Sequence, residues 1–161
     1  MTNQEIITQF YEAFSRADAE GMVKLYADDI VFIDPAFGEL KGEDAKNMWR
    51  MLIQNNKGKI KITFDNVTAD EKAGSANWIA EYTFSQTGRF VVNRIAAHFE
   101  FQNGRITRHT DHFDLWKWTQ QSLGWKGYLL GWSSFTKNKI QKQTKQLLKA
   151  YHKKRDSKSS N

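Results

Sequence analysis

The stretch GRITRHTDHFDLWKW, residues 104–118, combines a strand pattern with a dense run of titratable side chains. It begins at the turn Gln102-Asn103-Gly104. An Asn-Gly pair accepts the backbone that a two-residue hairpin loop requires, so this segment is expected to pair antiparallel with the apolar run before it. Side chains alternate along a strand. Thr107, His109, Asp111, Phe113 and Leu115 therefore share one face, and Ile106, Arg108, Thr110, His112, Asp114 and Trp116 share the other. Phe113 and Leu115 mark the first set as the inward one, which carries an imidazole and a carboxylate inside. A single bulge would exchange the two sets. Buried polar groups often serve only to tie strands together, yet an acid beside apolar walls is also what a reactive pocket provides. Both readings stand at this point.

Working outward, the chain of 161 residues suits one domain with a core of its own. It has no cysteine, which excludes disulfides and thiolate chemistry and fits a reducing cytoplasm. Its opening lacks a signal-type pattern, and no apolar run approaches membrane-spanning length. The formal charge of +6 is unevenly placed: residues 137–158 hold nine Lys or Arg and one acid, a net +8, so the remainder sums to −2. The basicity belongs to a tail, not to the folded body.

Thr2 followed by Glu5 predicts a capping-box start, with Ile6, Phe10, Ala13 and Phe14 at helical spacing as far as Arg16. Asp18 is expected to cap a second helix carrying Met22, Leu25 and Tyr26. A short strand, Ile30 to Ile33, stops at Asp34-Pro35, and Phe37 to Leu40 returns from it. Gly42 opens a third helix with Ala45, Met48, Trp49, Leu52 and Ile53 on one stripe. Beyond Asn55 to Gly58 the period changes to two, in strands around Ile60–Phe64, Trp78–Phe84 and Phe90–Phe101, with turns at Asp70–Gly74 and Gln86–Gly88. Three helices followed by an antiparallel meander predict an α+β fold, with the helices covering one face of a curved sheet.

That order, together with Leu25-Tyr26-Ala27-Asp28-Asp29-Ile30-Val31-Phe32-Ile33-Asp34-Pro35, Gly42 and Asn103-Gly104-Arg105-Ile106, resembles the SnoaL-like superfamily of cone-shaped α+β folds. The superfamily takes in ketosteroid isomerase, polyketide cyclases, limonene epoxide hydrolase and the nuclear transport factor. The resemblance covers about residues 2–116 and implies a curved sheet whose concave face the helices close, around a pocket for a small hydrophobic molecule. A shared fold leaves the reaction open. The ketosteroid isomerase base would fall on Asp34, but that enzyme's oxyanion donors would fall on Phe10 and Ala97, which cannot donate. Steroid isomerisation is therefore not expected. The polyketide cyclases' His-x-Asp unit looks like His109-Thr110-Asp111, and the epoxide hydrolase pattern looks like Asp111-His112-Phe113-Asp114. The hydrolase's Arg-x-Asp would fall on Ile95 and Ala97, while Arg94, one place away, faces outward.

The candidate catalytic residues are thus Asp111, with His109 as its partner and Asp34 as a second pocket carboxylate. A carboxylate that loses hydration against apolar walls holds its proton more tightly, and an adjacent imidazole can orient it or shuttle that proton. The alternative for Asp34 is a turn residue before proline. The cavity wall is expected around Trp78, Tyr82, Ala97 and Phe113, with Trp49 and Phe10 also lining it. His98, with Arg94 and Glu100, suits a solvated sheet surface. No cofactor is implied, since the chain lacks a glycine-rich phosphate loop, a serine elbow and a nucleotide fingerprint. No metal is expected either, because each face of the last strand offers one histidine and one acid without a third ligand. Two functions remain: an acid/base isomerase, cyclase or hydrolase acting on a hydrophobic molecule, or a non-catalytic ligand-binding or dimerisation module.

Residues 117–151 lie beyond the resemblance. They hold the aromatic run LGWKGYLLGWSSF, residues 123–135, and then a helix from about Ser134 with Ile140, Thr144, Leu147, Leu148 and Tyr151 among lysines. This segment is expected to dock on the domain or on a homodimer partner, ordered as far as about Tyr151; the alternative is an anchor at an anionic membrane surface. Nucleic acid is not an expected partner, since the lysines come without arginine forks and the body is acidic. His152 to Asn161 are expected to form a disordered end.

Overall fold

At the tip of the final hairpin, Asn103 and Gly104 both adopt positive φ, 51° and 71°, in the computed structural model. That is the backbone a primed two-residue turn demands, and it sets Gln102 opposite Arg105. The structure describes residues 1–56, 59–126 and 134–160. The hairpin joins β5 (Arg89–Gln102) to β6 (Arg105–His112), and β3 (Lys61–Ala69) and β4 (Ala73–Phe84) complete the antiparallel meander. β1 (Tyr26–Asp34) and β2 (Gly38–Lys41) extend it to a six-stranded sheet in the order β2-β1-β6-β5-β4-β3.

The alternation along β6 is broken once. Glu100 faces Arg108 and Phe101 faces Ile106, so Thr107 is the extra residue of a bulge. Ile106, expected outside, is fully buried as a result, while His109 and Asp111 keep the inward direction the sequence assigned them. A second difference lies at the strand's other edge. β1 joins β6 in parallel, with Phe32 opposite His109, so the sheet is antiparallel everywhere but at this pair.

α1 (Asn3–Ser15) begins with the expected capping box: Glu5 N–H donates to Thr2 Oγ1 at 3.2 Å and Thr2 N–H to Glu5 Oε2 at 2.7 Å. Asp18 caps α2 (Ala19–Val23) by accepting from Gly21 N–H at 2.8 Å. This helix is shorter than expected, and Tyr26 belongs to β1. α3 (Glu43–Asn55) follows Gly42, and α1 and α3 cover the same face of the sheet, over β3–β4 and β1–β2 respectively. The core fills the space between, with Ile6, Phe10, Met48 and Trp49 meeting Phe32, Ile95, Ala97 and Phe99.

Among the described residues, two further helices follow the cone. α4 (Leu115–Leu123), capped by Asp114, packs on β5. α5 (Ser134–Ser159) packs on α3 and buries Leu148 in the common core. It runs well past Tyr151, so His152 to Ser159 are helical where a disordered end was expected. The aromatic segment's Leu129 and Trp132 lie outside the described residues, and Trp125 is exposed.

One glycine fixes how closely α1 approaches the sheet. A Cβ on Gly74 would lie 2.7 Å from Ile7 Cδ1 and 2.8 Å from the Thr68 carbonyl oxygen. Backbone cannot yield as a side-chain tip does, so Gly74→Ala is expected to destabilise the fold by about 1–3 kcal/mol, measured by urea denaturation.

Candidate functional site

The alternation of β6 delivers His109 and Asp111 to the interior, where they are 0% and 3% exposed. Their surroundings determine the hydrogen-bond directions. Trp49 Nε1–H can only donate, and it donates to Tyr26 Oη at 2.8 Å. The Tyr26 hydroxyl proton is then free to go to His109 Nδ1, 2.7 Å away. The remaining ring nitrogen, Nε2, carries the proton and donates to Asp111 Oδ1 at 3.0 Å. Trp78 Nε1–H donates to the same oxygen at 3.3 Å. A single ring proton therefore satisfies the whole series from Trp49 to Trp78.

The aromatic packing holds the imidazole in place. The Trp49 ring is stacked on it at a 15° interplanar angle, and the Phe99 centroid lies 4.3 Å from its own. Phe10 and Phe32 meet it edge-on. Burial, and then the negative charge of Asp111, raises the pKa of Tyr26 well above the usual phenol range, so its hydroxyl remains a donor. Tyr11 is shifted the same way by the same causes. Among the described residues its buried hydroxyl has no hydrogen-bond partner.

Asp34 has two roles. Phe37 N–H donates to its Oδ1 at 2.5 Å, which is the turn function expected before Pro35. It is also half-buried, and desolvation, outweighing that hydrogen bond and reinforced by the charge of Asp111, pushes its pKa up to about 7. The interior thus brings two carboxylates within electrostatic reach, one held by Trp78 and His109 and the other titrating near neutrality.

Of the expected lining, Phe10, Trp49 and Ala97 pack in the core around His109, Ala97 lies opposite Asp111 in the sheet, and Trp78 touches Asp111 directly. Tyr82 is half-buried against the core, and its hydroxyl accepts from Trp118 Nε1–H of α4 at 2.7 Å. Phe113 is half-buried against the core. His98, Arg94 and Glu100 are exposed, and His98 stands beside His112 on the outer face. That outer face also carries a cleft of about 450 Å³ between Asn66, Asn77, Arg94 and His112. Tyr26 was missed from sequence because it was assigned to a helix. Its shared parity with Ile30 and Phe32 was the available signal. Tyr11 gave none, since a tyrosine on a helix face looks like ordinary core.

The fold and this buried acid–imidazole pair define a small α+β cone with an apolar interior that encloses two polar side chains. The chain belongs to the family of SnoaL-like domains, whose profile matches residues 7–109 and so ends at His109, two residues short of Asp111. Solved structures with the same fold include a proposed polyketide cyclase from Xanthomonas campestris, 21% identical over 73% of this chain and 94% of its own, with a TM-score of 0.60. An epoxide hydrolase of the limonene type from Mycobacterium tuberculosis is 19% identical over 78% and 90%, at 0.56. TerC, co-crystallised with polyporic acid, is 18% identical over 68% and 89%, at 0.58. No curated protein matches the sequence.

Asp34 also sets a pH dependence. Its carboxyl ionises near 3.8 in the unfolded chain and near 7 in the fold. Between those values the folded state holds the extra proton, so stability falls as pH rises from about 4 to about 7 and is level above. Asp34→Asn is expected to flatten that slope and to be more stable than the native chain at pH 8, as read from denaturation midpoints across pH. Tyr26→Phe removes a hydroxyl that two buried groups depend on and is expected to cost about 2 kcal/mol or more, measured by urea denaturation at pH 7.

Proposed function

We propose that the protein binds a small hydrophobic molecule in the interior of the cone and moves a proton on it, with Asp111 as the base. The observation that carries this reading is the asymmetric use of the Asp111 carboxylate: Oδ1 accepts from both His109 and Trp78, and among the described residues Oδ2 has no hydrogen bond. A carboxylate anchored through one oxygen presents the other to an acidic C–H or O–H. His109 holds that orientation and stabilises the charge. Asp34, titrating near 7, is able to supply or store the proton at physiological pH. These groups suit an isomerase or cyclase step on an apolar carbonyl compound. An epoxide hydrolase step is less well served, since Ile95 and Ala97 stand where the hydrolase's charged partners would be.

The second reading is a non-catalytic module that binds a ligand or pairs with a second copy. It draws support from the saturation of His109, whose two nitrogens are both engaged and whose ring is fully buried. In that reading the network ties β6 to β1, α3 and β4. The exposed outer sheet face would then serve pairing, and the lysine-bearing face of α5 would serve an anionic membrane surface. No helix among the described residues is long and apolar enough to cross a membrane.

Deuterium exchange at the α-carbon of 2-tetralone, an apolar ketone, separates the two readings when followed by NMR. Catalysed exchange that drops by about 10²–10⁴-fold in Asp111→Asn supports the enzyme. Tetralone binding without exchange supports the carrier.

A further inference from the structure

The SnoaL-like match ends at residue 109, and the solved relatives cover their own lengths almost fully but only about seven-tenths of this chain. α5 is therefore an addition to the cone, and it lies at a defined place. Thr144 Oγ1 donates to the Ala36 carbonyl at 2.8 Å, and Gln141 Nε2 donates to the Pro35 carbonyl at 3.1 Å, both in the turn that begins at Asp34. About two turns further along, His152 meets α3: Nε2 lies 3.2 Å from Asp44 Oδ1, and Asn47 Nδ2 lies 3.2 Å from Nδ1. Arg155 donates to Asn47 Oδ1 and stands 3.7 Å from Glu43. Between these anchor points, on the same helical face, Leu148 enters the core and is 3% exposed.

α5 thus spans the gap between the β1–β2 turn and α3, and Leu148 fills it. Hydrogen bonds to the Pro35 and Ala36 carbonyls lay the helix across the turn that holds Asp34. The two fastenings differ from the seal. They are polar, half-exposed and confined to the rims, and one consists of the His152 hydrogen bonds and the Arg155–Glu43 ion pair, which water can replace at small cost. The seal is Leu148, with half-buried Tyr151 packed beside it against the same core, on a helix whose remaining described residues are exposed or half-buried.

We propose that α5 is the movable wall of the ligand chamber. A hydrophobic ligand enters between α3 and the Asp34–Phe37 turn, and Leu148 is the side chain it must displace and then packs against. This rests on the binding reading above. Leu148 then sets the size of molecule admitted, and the His152–Arg155 latch sets how often the wall opens.

The chain has no native cysteine, so Ala36→Cys with Thr144→Cys gives one unique pair that a short bismaleimide can join across the turn and α5. The probe is 2-naphthol, followed by its fluorescence in stopped flow. Joining the pair is expected to slow its binding at least tenfold relative to the same protein left unjoined. The double variant His152→Ala with Arg155→Ala is expected to speed binding severalfold. The second readout needs no ligand. Carbon-13 titration of Asp34 should move from about 7 toward the ordinary carboxylate range in the latch variant, because water reaches the carboxylate. An unchanged binding rate in the joined protein, or an Asp34 titration that stays near 7 when the latch is removed, would overturn the proposal. If 2-naphthol binds to no form of the protein, the binding reading loses its support, and the Asp34 titration still decides whether α5 opens.

Discussion

A carboxylate buried among aromatic rings has to be compensated, and much of this interior is arranged around that requirement. Asp111 receives two N–H donors on one oxygen, and each donor is itself held by packing. Leaving an ionised group of this kind without partners would cost several kcal/mol. The donors come from β4 and, through His109 and Tyr26, from β1 and α3. The same contacts that solvate the acid therefore fasten the two halves of the sheet and the helix above them. Under the proposed function, stability and reactivity would be carried by one set of bonds, so that removing any donor would affect both.

Much of this arrangement was legible in the sequence, for reasons that can be stated residue by residue. The Asn103-Gly104 pair fixed the hairpin, and the parity of His109, Asp111 and Phe113 fixed the inward direction of the acid. Thr2, Glu5 and Asp18 marked the helix starts because their side chains replace missing backbone partners. These are local signals, and local chemistry suffices to read them. The Thr107 bulge was not legible, because an extra residue leaves no mark on composition. The parallel pairing of β1 with β6 was not legible either, since period two is the same in both orientations. Tyr26 was lost to a helix that could have continued but instead gave way to the strand that β6 completes.

The site shows the same division. Asp111 and His109 followed from alternation and the family resemblance, and Asp34 from the resemblance alone, its place before Pro35 having marked it as a turn residue. The hydrogen-bond directions required the donor-only indoles of Trp49 and Trp78, whose proximity is a tertiary fact. Docking of α5 on the body was the first expectation from its apolar stripe, with a membrane surface as the alternative. The place itself was not legible, because the carbonyls of Pro35 and Ala36 and the side chain of Asn47 that receive it are neighbours only in the fold.

The parallel contact between β1 and β6 has a consequence for how the chain comes together. Tyr26 and His109 are 83 positions apart, yet they share a buried hydrogen bond. The meander from β3 to β6 joins neighbours in sequence and can form with little loss of chain entropy, whereas β1 must wait for a strand made much later. During synthesis residues 1–40 emerge before β6 exists, with their apolar faces uncovered and without the edge they join. The capping box of α1 and its exposed Glu12 give that early segment a solvated face before the fold is complete.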